Sequence, residues 1–431
     1  MTTPLQLPKY SIGVGDRFAH QAKAQLQACI LAAEAGLEIT PVWNKSNREH
    51  NIVGSDPADT RAAANAAVKA LGWSKPYFVD ADHINLQTVQ RFIEPCDFFT
   101  IDVADLIGKP AADRDVEAFC AKHRELVGTL RIPHVNHSVM ADLQFVTHVA
   151  GKYLAAIQEA GRIFRRIEEL KGQDDFIAEI SMDETDSPQT PAELLMILAA
   201  IADEGVAIQT IAPKFTGRFN KGVDYLGDVS KFAEEFSDDI AVIAFAVQKY
   251  GLPRNLKLSV HSGSDKFSIY EPIRSAMKKF DAGVHLKTAG TTWLEELIGL
   301  AESGGPGLEL AKDIYRDAWY HREELCLPYA SVIDIDSDAL PRPELVETWS
   351  PEGFVSAIRH DQHNSAYNSS MRQLLHVAFK VAAKMGQHYI DLLRANESII
   401  ASNVLHNLLE RHIKPVFPTQ TFTSSSLGSS R

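Results

Sequence analysis

Tyr77-Phe78-Val79-Asp80-Ala81-Asp82-His83 is the stretch from which the architecture of this chain can be read. Apolar and β-branched residues run into a histidine, and a helix-like segment follows. The same pattern recurs at Leu256-Lys-Leu-Ser-Val-His261-Ser-Gly263 and at Ala282-Gly-Val-His285-Leu-Lys287. In a (β/α)8 barrel the C-terminal ends of all strands surround one mouth, so side chains far apart in sequence meet there. Neutral imidazoles gathered at such a mouth are natural ligands for a divalent cation, with positions left over for substrate. His83, His261 and His285 are therefore the expected metal ligands.

Working outward, short apolar runs alternate with longer segments of helical period, as in a parallel sheet wrapped by helices. Strands are predicted at 11–15, 39–43, 77–82, 98–103, 176–182, 207–212, 256–260 and 283–286. A (β/α)8 TIM-type barrel then occupies residues 1–302. From 303 to 418 the strands stop, and helical segments around 308–325, 352–358, 370–394 and 398–412 form an extension that caps the mouth or braces the barrel. The tail 419–431, rich in Ser, Thr and Gly, reads as disordered.

Composition narrows the class. Against 43 Lys and Arg stand 56 Asp and Glu, a formal charge of −13. Nucleic acid and anionic membrane call for a basic footprint, so neither is an expected partner. No stretch approaches the roughly 18 uninterrupted apolar residues of a membrane span. The N-terminal residues lack a basic region followed by an apolar run, and Cys29, Cys96, Cys120 and Cys326 are widely spaced. A cytoplasmic protein with free thiols is expected. The helical C-terminal third offers surfaces for a homo-oligomer.

Other reactive residues cluster at the strand ends. Asp80 and Asp82 precede His83, and strand alternation puts both on the face opposite the histidine unless the strand has already given way to loop. Asp82 is suited to orient an imidazole or to act as a base. Asp183, Glu184 and Asp186 follow the fifth strand. They read as a helix N-terminal charge cluster, or as the source of an acid, base or fourth ligand, with Glu184 favoured and Asp183 close behind. Lys214 and Lys287 end the sixth and eighth strands, with Arg218 and Lys266 in the loops beyond. Such cations suit a substrate carboxylate or phosphate, or pair with neighbouring aspartates. The pairs His134/His137 and His360/His363 are weaker rivals as ligands. Gly13-Val-Gly15-Asp-Arg17 lacks the third glycine of a dinucleotide-binding turn.

Four of these stretches resemble the tagaturonate epimerases of bacterial hexuronate catabolism. They are Ser181-Met-Asp-Glu-Thr-Asp-Ser-Pro188, Ile211-Ala-Pro-Lys-Phe-Thr-Gly217, Ser259-Val-His-Ser-Gly-Ser-Asp-Lys-Phe267 and His285-Leu-Lys-Thr-Ala-Gly-Thr291. The likeness runs over most of the chain and is strongest from about residue 75 to 300; the first 75 residues are compact for the family. The resemblance implies a divalent cation (Zn, Mn, Ni, Co or Fe) and interconversion of D-tagaturonate with D-fructuronate. It further implies a proton acceptor beside the first metal ligand, a separate proton donor, and two later ligands. That order fits Asp82 beside His83, a carboxylate within 183–186, and then His261 and His285. The inverted carbon lies β to the ketone, so enolisation cannot reach it and a retro-aldol route is expected. A metal-dependent aldolase or ketose isomerase on the same barrel, or a silent sugar-acid-binding barrel, are the alternatives.

Overall fold

Parallel strands β1 (Tyr10–Gly15), β2 (Thr40–Ser46), β3 (Phe78–Ile84) and β4 (Phe98–Asp102) form one half of a barrel. A short antiparallel hairpin, β5 (Gly128–Leu130) and β6 (Val139–Ala141), lies outside it. Strands β7 (Ile177–Ser181), β8 (Thr210–Ala212), β9 (Lys257–His261) and β10 (Val284–Lys287) complete the circle, and β10 pairs with β1 to close it. The structure, a computed structural model, describes residues 4–135, 139–185, 187–288 and 290–419. Asp186, His137 and nearly all of the tail expected to be disordered lie outside the described residues.

Each barrel strand falls where the apolar runs put it, because a doubly covered parallel strand reads as a continuous apolar segment. The helices are stamped equally locally. Pro57–Leu71 begins with a capping box between Asp56 and Asp59, carries Pro57 in its first turn and ends on the left-handed Gly72. Two features escaped the sequence reading. The hairpin strands are too short for a period of two to show. The helix Asn47–Val53 rests on a Ser46/Glu49 capping box, and it lies over the barrel mouth.

Inside the barrel the side chains are layered by depth. The floor is apolar, built from Leu7, Val42, Phe78, Phe98 and Ile177. Two residues further along, the same strands present Asn44, Asp80, Thr100 and Glu179, all buried. One step higher lie Asp82 and, across the barrel, His261. An inward-facing row that changes from phenylalanine to carboxylate within four residues marks where packing ends and chemistry begins.

The chain beyond 303 is helical, as expected, although the stretch 370–394 is broken at Ala378 and at Gly386, whose φ of 56° stops a helix. Helices from Gly305 onward share an apolar cluster with the preceding barrel helix Thr291–Glu302, through Trp293, Leu297 and Tyr315 among others. The last segment does otherwise: Leu408, Leu409, Ile413, Val416 and Phe417 join the core of the barrel itself. Among the described residues no helix is long and apolar enough to cross a membrane.

Candidate active site

β3 holds the first device of the site. Its register with β4 slips between Ala81 and Ile84, and His83 has a φ of 53°. A bulge of this kind re-aims a side chain, and here it brings His83 to the same mouth as Asp82. Left-handed backbone at a non-glycine residue is strained, and such strain persists where surrounding structure enforces it.

His83 Nδ1 lies 3.0 Å from Asp82 Oδ1, and its Nε2 lies 3.9 Å from Asp183 Oδ1. His261 Nε2 is 2.8 Å from Glu179 Oε1, and its Nδ1 is 3.2 Å from the same Asp183 oxygen. Each imidazole thus has one nitrogen fixed by a carboxylate and the other turned toward Asp183. Histidines that bind metals are held in this way. One ligand atom from each of His83, Asp183 and His261 lies within 4.8 Å of the other two. His261 Nδ1 is fully buried, with the Asp183 carboxylate beside it. Burial opposes charging His83, yet Asp82 and then Asp183 pull its pKa up to about 10. A field that favours an imidazolium equally favours a dication, so two nitrogens and a carboxylate oxygen fit a divalent transition metal.

Below this group Lys287 sits inside a cage of acids. Its Nζ is 2.8 Å from Asp80, 2.9 Å from Asp82 and 3.0 Å from Glu179. Burial works against its charge, but these three carboxylates raise its pKa well above the lysine norm. Burial also pushes Asp80 up, to about 7, and the Thr100 hydroxyl donates to it. Lys287 therefore holds Asp82 and Glu179 in place, and they in turn hold the two histidines.

Of the three histidines expected to converge, His83 and His261 meet at the mouth, while His285 lies deeper. His285 lies one inward-facing step beneath Lys287 on β10, fully buried, with Nδ1 2.9 Å from Ser11 Oγ and its ring against Phe98. Burial drives its pKa down to about 3, so it is a neutral interior imidazole. Asp183 stands in the cluster instead. Two of the expected anion-binding cations are committed elsewhere. Lys266 is buried and donates to the carbonyls of Asn220 and Val223 at 3.0 and 2.7 Å, and Arg218 pairs with Asp334 at 3.1 Å. Lys214 reaches the Asp183 carbonyl at 3.3 Å. Glu184 is exposed and lines the mouth.

A cavity of about 250 Å³ opens above the cluster, lined by Asp82, His83, Asp102 and Glu184 from the barrel. Its other walls were not foreseen: Arg17, the Ser46–Glu49 turn, Lys221, and Tyr329, His376 and Phe379 from the extension. Arg17 stood in the glycine-rich turn dismissed above, directly after a strand end, and that position was its signal. Glu179 was legible too, as a lone acid inside the apolar strand Ile177-Ala-Glu-Ile-Ser181. Nothing local marks His376.

A closed parallel barrel with acids and imidazoles at its C-terminal mouth defines a (β/α)8-barrel enzyme. Residues 1–415 match the family described as tagaturonate epimerase, and the chain belongs to that family, an isomerase of the epimerase type. It is 28% identical over 418 residues to the tagaturonate/fructuronate epimerase of Thermotoga maritima, covering 94% of this chain and 80% of that protein. The native fructuronate-tagaturonate epimerase UxaE of Cohnella laeviribosi shares the fold, with a TM-score of 0.78 at 24% identity over 96% of this chain and 82% of that one. A probable tagatose 6-phosphate kinase of Sinorhizobium meliloti is a more distant fold relative, with a TM-score of 0.50 at 11% identity over 94% of this chain and 99% of that one.

Proposed function

We propose that this chain interconverts D-tagaturonate and D-fructuronate with a divalent cation held by His83, Asp183 and His261. The observation that carries the reading is the convergence of one ligand atom each from His83, Asp183 and His261 within 4.8 Å of one another at the mouth of a family member's barrel. The cation supplies Lewis-acid polarisation of the substrate ketone. Asp82, kept ionised by Lys287 although burial opposes it, accepts the proton of the C3 hydroxyl. The C3–C4 bond then breaks, leaving an aldehyde and an enediolate. The aldehyde turns, C–C bond formation on its other face inverts C3, and the new alkoxide points away from Asp82. A second proton carrier is required on that side, and Glu184, which lines the same cavity, fills the role.

Product analysis after incubation with D-tagaturonate, with and without a chelator, tests the proposal. Fructuronate that disappears with chelation and returns with added Mn, Zn, Co, Ni or Fe supports it. Three-carbon fragments without fructuronate would mean an aldolase. A large primary isotope effect with C3-deuterated substrate would replace carbon–carbon cleavage by C–H cleavage.

A further inference from the structure

Among the described residues, four polar groups that line the cavity have hydrogen-bonding atoms left unused. Lys221 Nζ makes no hydrogen bond or ion pair among the described residues. Arg17 donates from Nε to Glu49 at 2.8 Å, while its buried Nη1 has no partner. His376 Nε2 is buried and unpartnered as well. Arg48 stacks over Tyr329 at 5.0 Å and makes no hydrogen bond among the described residues. Arg48 is exposed and Lys221 half-buried, whereas Arg17 Nη1 and His376 Nε2 are fully buried, and buried polar atoms left unpaired are rare enough to need an explanation. Here two guanidiniums, an ammonium and an imidazole wall one small chamber.

Lys221 is also held in place from every side. Its own amide donates to the Val332 carbonyl at 2.8 Å. The Gly222 amide donates to Ser264 Oγ at 3.0 Å, and the Arg372 guanidinium donates to the Gly222 carbonyl. Lys266 grips the carbonyls of Asn220 and Val223 on either flank. A loop fastened this thoroughly presents the Lys221 side chain with little freedom to lose on binding. The opposite wall depends on a glycine: a Cβ at Gly290 would overlap the His376 ring and the Gly263 carbonyl. Burial, and after it the nearby Arg48 and Arg17 against the pull of Glu184, draws the pKa of Lys221 down, which a bound anion would reverse.

We propose that Lys221 and Arg17, with His376 and Arg48 beside them, form the subsite for the substrate carboxylate, in the same chamber as the His83–Asp183–His261 group. The proposal rests on the sugar-acid reading above and replaces Lys287, Lys266 and Arg218 as carboxylate anchors. It also gives the helical extension a part in recognition, since His376, Phe379 and Tyr329 all come from it.

The test compares wild type with Lys221→Met and Lys221→Gln on D-tagaturonate and on D-tagatose, its neutral counterpart with a hydroxymethyl group in place of the carboxylate. Loss of one partner of a desolvated charge pair should raise KM for the acid by at least about 30-fold. The preference for tagaturonate over D-tagatose, as a ratio of kcat/KM, should fall by a similar factor, and the content of bound metal should not change. Binding of the unreactive sugar acid D-galactonate, followed by calorimetry, should weaken by a similar factor. Both variants should fold, because Lys221 Nζ makes no hydrogen bond or ion pair among the described residues. Unchanged preference for acid over neutral sugar, together with unchanged galactonate binding, overturns the subsite. If wild type binds galactonate through Lys221 but never converts tagaturonate, the subsite stands and the reaction assignment falls.

Discussion

His83 is aimed by one left-handed backbone position, and Asp183 reaches the cluster from the loop after β7. Side chains on regular strands would not have met in this way. The ligand assignment separates two histidines that look alike in sequence. His261→Ala should lower metal affinity by at least about 100-fold, the upper range for supporting residues around a metal, as measured by metal content after dialysis. His285→Gln should keep its metal, and a loss there would restore the three-histidine set. Lys287 makes a different prediction. Lys287→Met leaves Asp80, Asp82 and Glu179 buried around an apolar stub. Breaking a buried ionic group costs about 3–5 kcal/mol, so urea unfolding should show a loss of that order. A loss below about 1 kcal/mol would mean that the cage carries little of the stability.

At the scale of elements, loops and helix starts build the cavity, while strands supply its floor. The helix Asn47–Val53 was encoded by its Ser46/Glu49 capping box, yet its seven residues gave too little periodicity to register. The helix Thr291–Glu302 illustrates a buried acid. Burial raises the pKa of Glu295 to about 7, while Arg372 opposes and Asp265 reinforces the shift; Arg359 and Arg411 also oppose it. The folded state therefore holds a proton that the unfolded state releases near pH 4.5. Stability from this group is complete below about pH 4.5 and is lost as pH rises toward and past 7. Glu295→Gln keeps a partner for Asn407, which lies 3.1 Å away, and removes the titration. Relative to wild type the variant should gain stability between pH 5 and 8, by up to about 3 kcal/mol, read from denaturant midpoints across that range. An equal pH slope in both proteins would show that Glu295 is ionised throughout.

Across the whole molecule, one buried aspartate ties barrel to extension. Asp265, in the loop after β9, accepts from Arg372 at 2.9 Å and lies 3.0 Å from both His360 and His412. Arg372 in turn grips the Gly222 carbonyl beside Lys221. Asp265→Ala should thus cost about 3–5 kcal/mol and also raise KM for the sugar acid, with metal content unaffected. Destabilisation with an unchanged KM would confine the tie to stability. The barrel, its strand positions, the acidic character and the family likeness were determined by the sequence alone, because apolar period, capping boxes and strand-end motifs are local signals. His83, Asp82 and Asp183 were also visible there as chemistry-bearing residues. Only the tertiary structure decided which of them meet. A bulge turned His83, depth in the barrel withdrew His285, and helices more than 100 residues downstream closed the chamber around Lys221 and Arg17. Depth, bulges and long-range closure leave no periodic trace in a chain, since they depend on how finished elements stack against one another.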